Sequence, residues 1–132
     1  MTSPLLETSR LRVAVPHRVL IDQFDCAIRA GEFVALLGGN GTGKSLLLRT
    51  FAGLRTPAGG SVRLDGRDIH EFARREIATR LGFLPQDPDA TPQGSLAENV
   101  ALGRFAHLGL LQMPDASDSQ RVRLIAKRKR DW

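Results

Sequence analysis

Phe33-Val34-Ala35-Leu36-Leu37-Gly38-Gly39-Asn40-Gly41-Thr42-Gly43-Lys44-Ser45-Leu46-Leu47-Leu48-Arg49 is the stretch that decides the fold. Phe33 to Leu37 is a short unbroken apolar run, the pattern of a strand covered on both faces, as in a parallel sheet. Gly38 to Ser45 then fits G-x-x-x-x-G-K-[ST]. That spacing is a phosphate-binding pattern. Several backbone N–H groups must converge on phosphate oxygens, and only a loop with little side-chain bulk wraps closely enough. Lys44 to Leu54 reads as a helix that aims its positive end at the same point, with Gly53 and Pro57 as stop signals. Lys44 is expected on the β- and γ-phosphates, and the Ser45 hydroxyl on Mg²⁺. A glycine loop that binds nothing is the plainer alternative, and the strand before and helix after weigh against it.

Outward from the loop, the elements are short. Residues 1–10 read as a loose start, Leu11 to Val15 as a strand and Pro16-His17-Arg18 as a turn. Val19 to Ile28 is a second strand region, in which Val19-Leu20-Ile21-Asp22 is a structural strand end. Ser61 to Leu64 alternates and precedes the turn pair Asp65-Gly66. Asp68 with Glu71 is spaced to open a short helical turn. Arg74 to Arg80 is polar and expected exposed. Leu81 to Leu84 is apolar, Gln86 to Gly94 a proline-containing loop, and Leu96 to Leu102 a helix opened by Ser95 and Glu98.

The order of these motifs resembles the ATP-binding subunits of ABC transporters. Gly31 to Leu37 leads into the loop and Leu46 to Arg49 leads out, much as in that family. Pro57, Gly60-Ser61-Val62 and Leu64 to Ile69 match its spacing, and Arg75 to Ala78 followed by Gly82 to Asp87 resembles the approach to its glutamine loop. The resemblance covers about residues 5–111. It implies an α/β fold: a P-loop NTPase core with an N-terminal antiparallel β portion, cut before the family's signature and second nucleotide motif. It divides the chain into a partial ATP-binding domain, 1–111, and a polar, basic tail, 112–132.

By that resemblance Gly38, Gly39, Asn40, Gly41, Thr42, Gly43, Lys44, Ser45 and Gln86 bind ATP, with Ser45 and Gln86 also at Mg²⁺. The implied partners are a membrane-spanning permease subunit and a second ATP-binding subunit, and the implied place is cytoplasmic, peripheral on the inner face of the cell membrane. Gln86 to Asp89, Ala101 to Arg104 and His107 to Gly109 look similar to importers of iron chelates, haem and cobalamin, with other solutes left open.

Departures from the family are specific. It stacks adenine on an aromatic ring upstream of the loop; here the stretch is Ala14-Val15-Pro16-His17, and His17 reads as an exposed turn residue. After Gln86 there is no apolar strand ending in Asp-Glu, no Ser-Gly-Gly signature and no switch histidine; His107 reads as a helix-end residue. Phosphoryl transfer relies on metal, positioned water and charge stabilisation. The expectation is therefore ATP binding with poor turnover, and no closed catalytic homodimer. The alternative is a non-catalytic nucleotide-binding fragment or the remnant of a broken reading frame. A small P-loop kinase is a further rival, without visible acceptor-binding residues. Loss of the later strands is expected to leave apolar surface exposed.

Composition agrees with a folded domain. Among 132 residues, 42% are hydrophobic and 25% charged, which excludes a chain disordered throughout. Cys26 is the single cysteine, so an internal disulfide is excluded and a reducing compartment expected. No apolar run has the length of a bilayer span, and Met1 to Glu7 lacks the features of a signal peptide. The net charge of +5 sits in the tail: residues 121–132 hold six of the 19 basic and one of the 14 acidic residues. Nucleic acid is not expected as a partner, because that charge is not spread over a folded face. Asp115 to Ala126 reads as a helix leading into the family's helical subdomain, or Gln120 to Leu124 as the helix after its signature. Lys127 to Arg130 reads as a solvated, frayed terminus, with contact to anionic lipid or nucleic acid as the alternative.

Overall fold

The computed structural model describes residues 3–85 together with 102, 103, 106, 107 and 120. The chain divides into two compact units, residues 1–83 and 84–132, and the fold below is that of the first. The readings placed on Gln86 to Gly94, on Leu96 to Ala101 and on the tail apart from Gln120 lie outside the described residues.

Four strands form one antiparallel sheet. They are β1 (Leu6–Val15), β2 (Arg18–Ile28), β3 (Gly59–Leu64) and β4 (Arg67–Asp68), in the order β2-β1-β3-β4. The expected N-terminal antiparallel β portion is therefore present. The loose start is corrected: β1 begins at Leu6, and Leu6 and Thr8 are both buried. Two things hid this in the sequence. Thr8 is polar, and it takes a core position because its hydroxyl donates to the Phe24 carbonyl at 3.1 Å. Then the inward residues step from Thr8 to Leu11, which breaks the two-residue period.

The break is a bulge. The register of β1 shifts between Ser9 and Arg12 against β3 and between Thr8 and Leu11 against β2. Arg10 sits at φ 44°, and its N–H donates to the Asp25 carboxylate at 2.5 Å. A polar group freed from the ladder thus finds a side-chain partner. Opposite the bulge, Gly60 has φ 72°, and a methyl group there would lie 2.2 Å from the Arg10 carbonyl oxygen. Only glycine lets β3 approach β1 so closely.

One helix, α1 (Lys44–Phe51), packs on this sheet. Leu47 and Thr50 are fully buried, and Leu47 joins Leu11, Val13, Val62 and Ile69 in the core. Burying each such leucine stabilises by about 1.5–3 kcal/mol. The helix ends three residues before the expected Leu54. Gly53 N–H donates to Thr50 and Leu54 N–H to Arg49, the paired bonds of a Schellman cap.

Past β4, Asp68 caps a single helical turn (Ile69–Glu71) by accepting from His70 N–H at 2.9 Å, as its spacing suggested. The polar stretch after it is corrected in one respect. Arg74–Arg80 forms a helix, α2, which buries Ile77 against the core. Its first turn is held by the Glu76 carboxylate, which accepts from Ala73 N–H at 3.1 Å. Arg67 and Arg80 place their guanidinium groups 4.2 and 5.2 Å from the Phe72 ring centre.

The expected strand over Phe33 to Leu37 is the main correction. Residues 32–39 have no ladder partner among the described residues, and Phe33 and Leu37 are 95% and 89% exposed. Leu36 alone packs against the core. An apolar run creates a demand for cover, but strands on both sides must meet it.

Candidate functional site

The phosphate-binding pattern forms one compact piece of structure. Gly38 to Gly43 is a loop, and Lys44 and Ser45 open α1. The loop is tied across its mouth. Lys44 Nζ donates to the carbonyls of Gly38 at 2.7 Å and Gly39 at 2.6 Å, and the Thr42 hydroxyl donates to Gly39 O at 2.9 Å. An ammonium has three donors. Two of them hold the loop.

Gly43 closes the loop at φ 95° and accepts from Leu47 N–H at 2.8 Å, the first bond of the helix. A methyl group at Gly43 would lie 3.1 Å from Leu20 Cβ and 3.7 Å from Ile21 Cδ1. Strand β2 is therefore the seat on which the loop rests. Leu20 and Ile21 are the part of the site that sequence reading missed. They lie more than twenty residues upstream, and no local spacing announces such a contact.

The start of α1 suits an anion. No side chain caps it and its first turn holds no acidic residue. The leading N–H groups of a helix lack partners inside it, and the helix dipole favours negative charge there. The Ser45 hydroxyl is exposed beside Lys44. Gln86 lies outside the described residues. His17 is exposed in the β1–β2 turn at φ 65°.

Asp22 has a structural task. Its carboxylate is bridged by Arg12 at 2.8 Å, with both side chains about half exposed. The hydrogen bond from Arg12 holds the Asp22 carboxyl below its ordinary value, and the same bond holds the guanidinium above its own. A cavity of about 300 Å³ lies beyond the far end of α1, lined by Ala52, Gly53, Leu54, Ile77, Leu81 and Phe83 among others. It is apolar apart from Arg74 and stands away from the loop. Among the described residues no group of three or more His, Cys, Asp and Glu is placed to hold a metal.

Comparison with known proteins agrees with this geometry. A family described as ABC transporter matches residues 21–131. The chain belongs to that family and supplies the part of its ATP-binding domain that carries the phosphate loop. It is 42% identical over 117 residues to the ferric enterobactin transport ATP-binding protein FepC of Escherichia coli K12, covering 89% of this chain and 43% of that one. It is 42% identical over 123 residues to the hemin import ATP-binding protein HmuV of Pseudomonas entomophila L48, covering 93% and 45%. Among solved structures, cbiO1 from Clostridium perfringens, part of the ABC transporter complex cbiONQ, superposes with a TM-score of 0.73. It is 27% identical, over 96% of this chain and 51% of that one. The chain thus spans less than half the length of these curated relatives. The fold is the α/β P-loop type of ABC ATPases, here represented by its antiparallel β portion, phosphate loop and following helix.

Proposed function

We propose that this chain binds ATP through Gly38, Gly39, Asn40, Gly41, Thr42, Gly43, Lys44 and Ser45, as part of an importer's ATP-binding subunit. The observation that carries this is the closed loop at the uncapped start of α1, with Lys44 held at its mouth. Backbone N–H groups and the helix end meet the phosphates, and Lys44 supplies a point charge to the outer two. The Ser45 hydroxyl fits Mg²⁺, which takes oxygen donors and keeps several waters beside substrate phosphates. When bound, the ion neutralises phosphate charge. Gln86 is assigned to the same ion on the strength of the family pattern.

The names of the relatives support a solute class. FepC is a ferric enterobactin transport protein and HmuV a hemin import protein. An iron chelate, haem or cobalamin is the proposed cargo of the whole assembly. Its proposed partners are a membrane-spanning permease and a second ATP-binding subunit. Among the described residues no helix is long and apolar enough to cross a membrane. The proposed place is the inner face of the cell membrane. On its own this stretch is proposed to bind ATP and hydrolyse it poorly, because residues 1–132 contain no second acidic motif, signature or switch histidine.

Titration with a fluorescent ATP analogue tests the reading, alongside a phosphate-release assay. Saturable binding that Lys44→Ala abolishes, with slow release, is expected. Absence of binding refutes the nucleotide site, and Lys44-dependent release at a normal transporter rate refutes the poor turnover.

A further inference from the structure

Two things fix the position of Gly43, the last residue of the loop. Its carbonyl accepts from Leu47 N–H at 2.8 Å, and Leu47 is fully buried. The second is Leu20. A methyl group on Gly43 would lie 3.1 Å from Leu20 Cβ and 3.3 Å from Leu20 Cδ1, closer than ordinary van der Waals contact. Gly43 therefore has no room to move toward β2 while Leu20 stands there.

Leu20 sits where β2 departs from its ladder. Val13 pairs with Ile21 and Ala14 with Val19, so Leu20 is the extra residue of a bulge and has no partner on β1. Bulges recur beside functional sites, where they re-aim a side chain. The next two residues pin the strand. Ile21 opposes the buried Val13, and Asp22 is bridged by Arg12 at 2.8 Å. Among the described residues, Ile21 belongs to the shell packed against the core and Leu20 does not. Leu20 is half-buried, and the core does not account for its bulk.

We infer that Leu20 is a positioning residue for the phosphate site. It acts through Gly43. Lys44 and Ser45 follow directly, so a shift of Gly43 displaces the start of α1 and both of those residues. This rests on the reading of residues 38–45 as the phosphate site, and adds a residue outside that stretch on which its geometry depends.

The test uses the full chain, with Mg-ATP and inorganic tripolyphosphate titrated separately. The variants are Leu20→Ala, Leu20→Val and Leu20→Met. Ile28→Ala, which trims a half-buried residue at the far end of the same strand, is the control. Leu20→Ala should weaken both ligands by the same factor, about fivefold, since the effect falls on the phosphates. Leu20→Val should weaken both less, and carries the test if Leu20→Ala does not fold. Leu20→Met restores the volume and should bind like the parent. Ile28→Ala should bind like the parent despite its lower urea midpoint. Gly43-Lys44 is the one Gly-Lys pair in the sequence, so glycine labelled at its carbonyl carbon and lysine at its amide nitrogen mark a single peptide group for NMR. Without ligand, its resonance should shift in Leu20→Ala and stay in place in Ile28→Ala. The role of Leu20 is overturned if its small variants bind both ligands like the parent, if ATP weakens and tripolyphosphate does not, or if Ile28→Ala reproduces the loss. A loss that Leu20→Met does not repair, or an unmoved resonance, overturns it as well. In each of those cases a parent that binds both ligands keeps the phosphate site. A parent that binds neither removes the phosphate site, and the role of Leu20 with it.

Discussion

The ammonium of Lys44 lies 2.7 Å from the carbonyl oxygen of Gly38, so the first residue of the helix is bonded to the residue that opens the phosphate loop. The lysine is thereby held at the mouth of the loop before any ligand arrives. Pre-positioning lowers the ordering cost that binding would otherwise incur. The bonds are solvent-exposed, and such contacts add little to folding. Lys44→Ala should therefore change the unfolding free energy by less than about 1 kcal/mol. A urea titration checks this; a larger loss would mean that the lysine is chiefly structural.

Gly60 and Gly66 separate two reasons for glycine. Both have positive φ, 72° and 79°, but an added methyl meets the Arg10 carbonyl at 2.2 Å in one case and nothing within 4 Å in the other. Gly66→Ala should cost about 1 kcal/mol, the strain of the left-handed conformation. Gly60→Ala should cost more than about 3 kcal/mol, because β3 must move off the bulge in β1. Equal losses in urea denaturation would contradict the close approach.

Phe33 and Leu37 offer apolar surface to solvent. Side chains so exposed contribute little to the stability of the isolated chain, while uncovered apolar surface promotes association. Phe33→Ser with Leu37→Ser should lower self-association in light scattering and shift the unfolding free energy by less than about 0.5 kcal/mol per site. A strongly destabilised monomer would show that the segment is covered after all.

The Arg12–Asp22 pair gives a pH dependence of defined sign. The Asp22 carboxyl lies below its ordinary value in the folded chain because Arg12 hydrogen-bonds it. Its contribution is present above the unfolded carboxylate pKa of about 4 and fades as pH falls through the lower folded value. Arg12 is shifted upward, so it stays charged throughout this range. Asp22→Asn should lower the urea midpoint slightly at pH 6, and the gap to the parent should close toward pH 3. A gap that widened with acid would reverse the assignment.

The loop and helix were readable in the sequence because their chemistry is local. Gly38 to Ser45 must be contiguous to wrap a phosphate, and Leu46 to Arg49 carries the helix directly onward. The start of β1 was not readable, because Thr8 hides its core position behind a hydroxyl and the bulge at Arg10 resets the alternation. Phe33 to Leu37 failed for a different reason. Its composition states what a strand there would need, and pairing depends on residues far away in sequence. Leu20 and Ile21 were legible as strand residues. Their closeness to Gly43 joins positions more than twenty residues apart and could only be seen in three dimensions.

The most direct test of the account is the melting temperature of the chain with and without Mg-ATP, beside Lys44→Ala. Ligand at about 100 times its Kd adds about 2.7 kcal/mol to the folded state. A cooperative transition is expected that ATP moves upward by several degrees in the parent and leaves in place in Lys44→Ala. A parent melt that ATP does not move, or moves equally in both proteins, would contradict the assignment of Gly38 to Ser45 as the phosphate site.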